Sequence, residues 1–241
     1  MYKGIPYDYH PINLLKVRGR RGTAAPGQAR ATREKRTHKA LIHSTAMAHS
    51  GTILFLLLFD FPQNEQATGA YASLNPQHKV PLLVIAPGRS ISQSVAILDY
   101  LEQAHPDKPS LLPKDPYLRA KSLSLAEGFN ADTQPLQNLH VLNKIQELTG
   151  SAEKKKEWIE YVLKKGLAAF EADVAQTAGK YCVGDSISIA DVFLVPQLAT
   201  ARRFEVDLTP YPICRRIDAA LAELPAFKAG HPDAQPDKPA A

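Results

Sequence analysis

The side chains best suited to recognising a small polar ligand stand at two junctions of this 241-residue sequence. Gln93 and Ser94 open a helical pattern, SVAILDYLEQAH, directly after the strand-like Ser90–Ser92. The first turn of a helix carries unpaired backbone N–H groups and the positive end of the helix dipole, so it favours an anion. The Ser94 hydroxyl and Gln93 amide could add hydrogen bonds to a carboxylate held there. On spacing alone, a plain helix cap by Ser92 or Ser94 explains the same residues. The second junction is Val80-Pro81, where a proline opens the apolar run KVPLLVI and by itself requires no ligand. Farther along, the guanidinium of Arg203 could take a carboxylate in a bidentate grip, and a surface arginine beside Arg202 is the plainer alternative. Cys182 and Cys214 are too few for a disulfide framework and lack metal-ligand spacing, which suits a reducing compartment. Cys182, in YCVGD, has no cationic neighbour to lower its pKa and reads as a buried structural thiol.

The elements that must position these residues change character along the chain. Residues 66–104 read strand–strand–helix: Lys79–Ile85 as a buried strand, APGR as a turn, Ser90–Ser92 as a second strand, then the helix. His105-Pro106 stops that helix, because a residue before proline disfavours the α conformation. Residues 105–115 form a proline-rich connector of the kind found between domains. Residues 116–230 read as helical nearly throughout. Tyr117–Thr149 is one long helical pattern with a kink expected at Pro135. Ser151 caps the next helix, whose Ile159, Val162, Leu163, Phe170 and Val174 share a face opposite a lysine-rich one. Ser188 and Asp191 make an S-x-x-D capping box, flanked by Ile187 and Val192. A last helix follows Pro212, and 231–241 is a tail. The expected architecture is an α/β unit over 1–104 followed by an all-helical unit.

Composition bounds the partners. Hydrophobic content of 44% and charged content of 22% are those of an ordinary globular protein. The formal charge of +5 comes from one segment, because residues 16–39 hold nine Lys and Arg against Glu34 alone. The rest of the chain is mildly acidic. That basic run contains no aromatic residue to stack a base, so a solvated loop is favoured over a nucleic-acid arm. The most apolar run, Thr52–Pro62, is far short of the ~20 residues that span a bilayer. MYKGIPYDYH has no apolar core of a signal peptide.

Three stretches together resemble the glutathione transferase family: NPQHKVPLLV (Asn75–Val84), SISQSVAILDYLE, and SIADVFLVPQ. TQPLQNLHVL (Thr133–Leu142), GKYCVGDSISIADVFLVPQ (Gly179–Gln197) and RRFEVDLTPYP (Arg202–Pro212) resemble its zeta class, the maleylacetoacetate isomerases. The resemblance covers residues 1–15 and about 66–241. It implies a thioredoxin-like glutathione-binding domain followed by a helical domain, in a cytoplasmic homodimer. It implies glutathione as cofactor and a diacid substrate, maleylacetoacetate, converted to fumarylacetoacetate in phenylalanine and tyrosine catabolism. Gln93 and Ser94 would then hold the γ-glutamyl carboxylate. Val80, before a cis-proline turn, would pair with the cysteinyl backbone like an added strand. Gln66 matches a glutamine near the glycyl end. Gln134, Asn138, Leu139 and His140 match glutathione contacts from the helical domain, partly across the dimer interface. His140 replaces the smaller serine of the class. Arg203 matches the arginine that takes a substrate carboxylate, with Arg202 where the class has an acidic residue.

In the family a Ser or Cys loop after the first strand holds the glutathione sulfur as a thiolate. No such loop is found in this sequence, and no catalytic residue is assigned. Residues 1–3 match the end of the family's first helix and Tyr7–Leu15 its second strand, and 16–65 has no counterpart in the class. Thr52–Phe59 is expected to fill the slot of the first strand. Low isomerase turnover is expected of this chain, and a non-catalytic glutathione-transferase-like binding or assembly protein is the alternative.

Overall fold

Leu82–Ala86 (β1) and Arg89–Ser92 (β2) form an antiparallel hairpin in which Leu82 faces Ser92 and Leu83 faces Ile91. The register shifts between Val84 and Ala86, and Gly88 takes a φ of 72° at the turn, a conformation that costs glycine little. The computed structural model describes residues 69–86, 88–231 and 234. These fall into two compact units that meet in sequence between His105 and Pro106. In the first, a short helix α1 (Gly69–Leu74) precedes the hairpin, and α2 (Ser94–Ala104) follows it. Leu82 and Leu83 are buried, and Tyr71 packs with Leu82, Val80 and Val84. The strand–strand–helix order stands as expected, and α1 is an addition to it. GAYASL is mostly small residues, with too few large apolar positions to show a helical period.

The second unit is all helical. Asp115 caps α3 (Pro116–Glu127) by accepting from the Leu118 N–H at 2.8 Å, with Pro116 at the first helical position. The single kinked helix expected from Tyr117 to Thr149 is not formed. After α3 the chain widens into a π-helical turn at Gly128–Thr133, tightens into a 3-10 turn at Gln134–Gln137, and restarts as α4 (Leu139–Thr149). Pro135 supplies no N–H and crowds the preceding turn, so the break redirects the chain rather than bending one helix. Gly150, at φ 66°, ends α4 and returns its N–H to the Gln146 carbonyl at 2.9 Å.

Ser151 caps the long α5 (Ala152–Val174), accepting from the Lys154 N–H at 3.2 Å. Its Ile159, Val162, Leu163, Leu167, Phe170 and Val174 are buried, the face that the helical spacing predicts. Phe170 stacks on Phe129 of the π turn with ring centroids 4.4 Å apart. The core continues into α6 (Ile189–Arg203) through Leu194, Leu198 and Ala201, and into α7 (Pro212–Ala222) through Cys214, Ile217 and Leu221. Glu171 of α5 caps α7 from outside: its two oxygens accept from the Ile213 and Cys214 N–H groups at 2.8 and 2.9 Å. A short α8 (Pro225–Gly230) follows the helix expected to be last. No helix among the described residues is long and apolar enough to cross a membrane. Tyr7–Leu15 and Thr52–Phe59 lie outside the described residues.

Candidate glutathione site

Lys79, one residue before the Val80-Pro81 step, is held by its carbonyl. The Tyr71 hydroxyl and the Asn75 side-chain amide both donate to it at 2.5 Å. Asn75 also donates to the Tyr71 oxygen at 3.3 Å and accepts from the Gln77 N–H at 3.2 Å. Asn75 is almost fully buried, so leaving its side-chain amide unpaired there would be costly. Burial raises the Tyr71 pKa, with the Asn75 bond opposing it, and the phenol stays a donor at neutral pH. Sequence reasoning misses this grip, because Tyr71 on an unrecognised helix and Asn75 just past its end give no periodic signal. The Val80-Pro81 bond is cis, as the resemblance implies. The Val80 backbone N–H and C=O make no hydrogen bond with the other described residues.

At the other end of the hairpin, Gln93 precedes α2 with φ 74° and ψ 125°. That region is sparsely populated by residues with a Cβ, and such strain persists where surrounding structure imposes it. The Gln93 amide donates to Gln77 Oε1 at 2.5 Å, so one segment carries both the support of Lys79 and the support of Gln93. Gln93 makes no side-chain cap to α2, so capping does not account for it. Ser94 is the first residue of α2 and is half-buried. The free N–H groups of the first turn, the exposed Gln93 amide and the Ser94 hydroxyl together suit a carboxylate. Gln66 lies outside the described residues.

The remaining candidates belong to the helical unit. Gln134 opens the 3-10 turn and is exposed, and Asn138 is the half-buried N-cap position of α4. Asn138 has the extended backbone of a cap, φ −67° and ψ 147°, yet its side chain makes no cap hydrogen bond. Leu139 and His140 are exposed on the first turn of α4. Arg203 is the last residue of α6, exposed, with its guanidinium carbon 5.8 Å from the Phe204 ring centroid. Arg202 beside it is paired with Asp218 of α7. The unusual second arginine therefore has its own carboxylate, and Arg203 forms no ion pair among the described residues.

The capping box is built as expected. Asp191 is fully buried and accepts from the Ser188 N–H at 2.8 Å, the Ser188 hydroxyl at 2.9 Å and the Cys182 N–H at 2.9 Å. Cys182 and Cys214 are fully buried free thiols. Burial pushes both far up, reinforced by the Asp191 carboxylate at Cys182 and by the Glu171 hydrogen bond at Cys214, so neither is a thiolate at neutral pH. Among the described residues no group of three or more His, Cys, Asp or Glu is placed to hold a metal ion.

Two family models match the chain, the glutathione S-transferase N-terminal domain over residues 61–109 and its C-terminal domain over 139–229. Probable maleylacetoacetate isomerase 2 of Drosophila melanogaster is 49% identical over 175 residues, covering 73% of this chain and 74% of its own. The maleylacetoacetate isomerase of Mus musculus is 45% identical over 176 residues, covering 73% and 78%. Among solved structures, maleylacetoacetate isomerase from Anaeromyxobacter dehalogenans 2CP-1, with glutathione bound in its active site, is 45% identical. Its TM-score is 0.68, over 76% of this chain and 84% of that one. A bacterial maleyl pyruvate isomerase described as a zeta-class glutathione S-transferase is 38% identical, with a TM-score of 0.71 over 75% and 86%.

Proposed function

The chain belongs to the maleylacetoacetate isomerase family of zeta-class glutathione S-transferases, and from that premise we propose that it binds glutathione and serves glutathione-dependent cis–trans isomerisation of a diacid, maleylacetoacetate. The observation that carries the reading is Gln93, held at positive φ against Gln77 at the start of α2 without capping it. A strained polar residue at a helix N-terminus is explained by an anionic ligand that offsets the strain. The Val80 amide and carbonyl, without partners among the described residues, fit the same ligand, because a peptide backbone can add to them as a short strand.

Each group has a stated task. Gln93, Ser94 and the first-turn N–H groups of α2 hold the γ-glutamyl carboxylate. Val80 aligns the cysteinyl backbone and so fixes where the sulfur lies. Gln134, Asn138, Leu139 and His140 contribute contacts from the helical unit, and Gln66 contacts near the glycyl end. When bound, glutathione supplies a sulfur nucleophile whose reversible addition makes the substrate double bond a rotatable single bond. Arg203, in no ion pair among the described residues, orients a substrate carboxylate. No residue of this chain is assigned to hold the sulfur as a thiolate. The protein acts as a cytoplasmic homodimer, and nucleic acid is not a partner.

The test is calorimetric titration of the full chain with glutathione, followed by turnover of maleylacetone with and without it. Binding that weakens in Gln93→Ala and Ser94→Ala is the expected result. Absence of binding, or isomerisation that does not depend on glutathione, overturns the proposal. Turnover within tenfold of the Mus musculus relative would refute the expectation of low activity while leaving the binding reading intact.

A further inference from the structure

Gln197 is a buried side-chain amide on α6, only 4% exposed, and it faces Gln137, the last residue of the 3-10 turn. The two amides form a closed ring: Gln137 Nε2 donates to Gln197 Oε1 at 3.0 Å, and Gln197 Nε2 donates to Gln137 Oε1 at 3.0 Å. Two apolar side chains of the same size would fill this space without any desolvation cost. What the ring adds is geometry, because both bonds are made in one relative placement of turn and helix. The same turn is held elsewhere by α5. Trp158 Nε1 donates to the Leu136 carbonyl at 2.9 Å. Thr133, buried, donates to the Gly128 carbonyl at 3.0 Å and packs where Gly166 leaves no Cβ in the way.

The residues so fixed are Gln134, at the start of the turn, and Asn138, directly after Gln137. Gln134 is exposed, and the Asn138 side chain is withheld from the capping bond its backbone position would allow. Both amides are presented from a turn tied at three points, while Gln137 and Gln197 point inward to each other.

We propose that Gln137 and Gln197 are positioning residues for glutathione: their amide ring sets the turn that presents Gln134 and Asn138 to the ligand. The inference rests on the reading that this chain binds glutathione. Neither residue of the ring touches the ligand. Their substitution therefore acts through the turn.

The experiment compares the full-length chain with Gln197→Met, Gln137→Met and the double variant, by glutathione titration and thermal melting. Trp158, the single tryptophan, reports the state of the turn by its fluorescence. Leu221→Ala, a core truncation on α7, serves as a control for general destabilisation. The expected result is a Kd for glutathione raised about five-fold or more in each Met variant, the worth of one hydrogen bond of ~1 kcal/mol. The double variant should be no worse than either single one, and Leu221→Ala should leave Kd unchanged. Gln137 is only half-buried, so Gln137→Met carries the test if Gln197→Met does not fold. An unchanged Kd in a folded Met variant, or an equal rise in Leu221→Ala, overturns this inference alone. A wild-type chain that binds no glutathione overturns it together with the functional reading.

Discussion

Replacing Asp191 by alanine should produce one of the largest single-residue losses of stability in the helical unit. The carboxylate is fully buried and accepts three hydrogen bonds of 2.8–2.9 Å, from the Ser188 N–H, the Ser188 hydroxyl and the Cys182 N–H. The hydroxyl can rotate to another acceptor, but the two N–H groups are fixed by the backbone. Each buried donor left unpaired costs about 1–3 kcal/mol. Against this, the alanine variant no longer buries a charge, which returns part of the loss. The balance is about 3–5 kcal/mol of destabilisation, or roughly 10 °C in melting temperature for a chain of this size. The Asp191→Asn variant keeps one carbonyl acceptor but turns an NH2 toward the other N–H, so about half of that loss is expected. Urea unfolding followed by circular dichroism measures both. A loss below about 1 kcal/mol in Asp191→Ala, within the range of ordinary surface changes, would refute the reasoning, as would equal losses in the two variants.

Four other outcomes are expected. Gly166→Ala should destabilise by about 1–3 kcal/mol in urea unfolding, because its Cβ would fall on Thr133 Oγ1 and within 2.7 Å of Thr133 Cγ2. Cys182 and Cys214 should resist thiol reagents in the native protein and react on unfolding, because burial keeps both protonated. Their folded pKa values are raised, so the stability they contribute is full at neutral pH and falls as pH climbs past the ordinary thiol range of ~8.5, where only the unfolded chain ionises. A pH series of urea melts with Cys182→Ala as comparison checks the sign. Asn75→Ala should weaken glutathione binding in titration by several-fold, because it leaves the Lys79 carbonyl held by Tyr71 alone and removes the acceptor of the Gln77 N–H.

The parts of the fold that are legible in the sequence are those whose causes are local. The buried face of α5, the Ser151 cap and the Ser188–Asp191 box each depend on residues within a few turns of one another. The broken segment between α3 and α4 is harder to read, because Pro135 marks an interruption without saying how the chain leaves it. α1 offers no period, and the grip of Tyr71 and Asn75 on Lys79 is hidden with it. Gln93 and Ser94 stand visibly at a helix start, but nothing in a glutamine announces a φ of 74°. Gln137 and Gln197 are 60 residues apart, so no spacing argument can join them. Gln134, Asn138, Leu139, His140 and Arg203 emerge only through family resemblance, since residues on irregular turns and helix ends carry no pattern of their own.

The distance along the chain between Gln137 and Gln197 also has a kinetic side. Closing a loop of that length costs entropy before the amide ring gives anything back, whereas α4 and α5 are adjacent in sequence and can dock early. The turn bearing Gln134 and Asn138 thus depends on a helix that a growing polypeptide delivers last among its supports. A nascent chain ending before Gln197 would already hold Leu136 through Trp158, yet would still lack the clasp that sets the turn. The final placement of Gln134 and Asn138 then waits on α6, after α4 and α5 have been made.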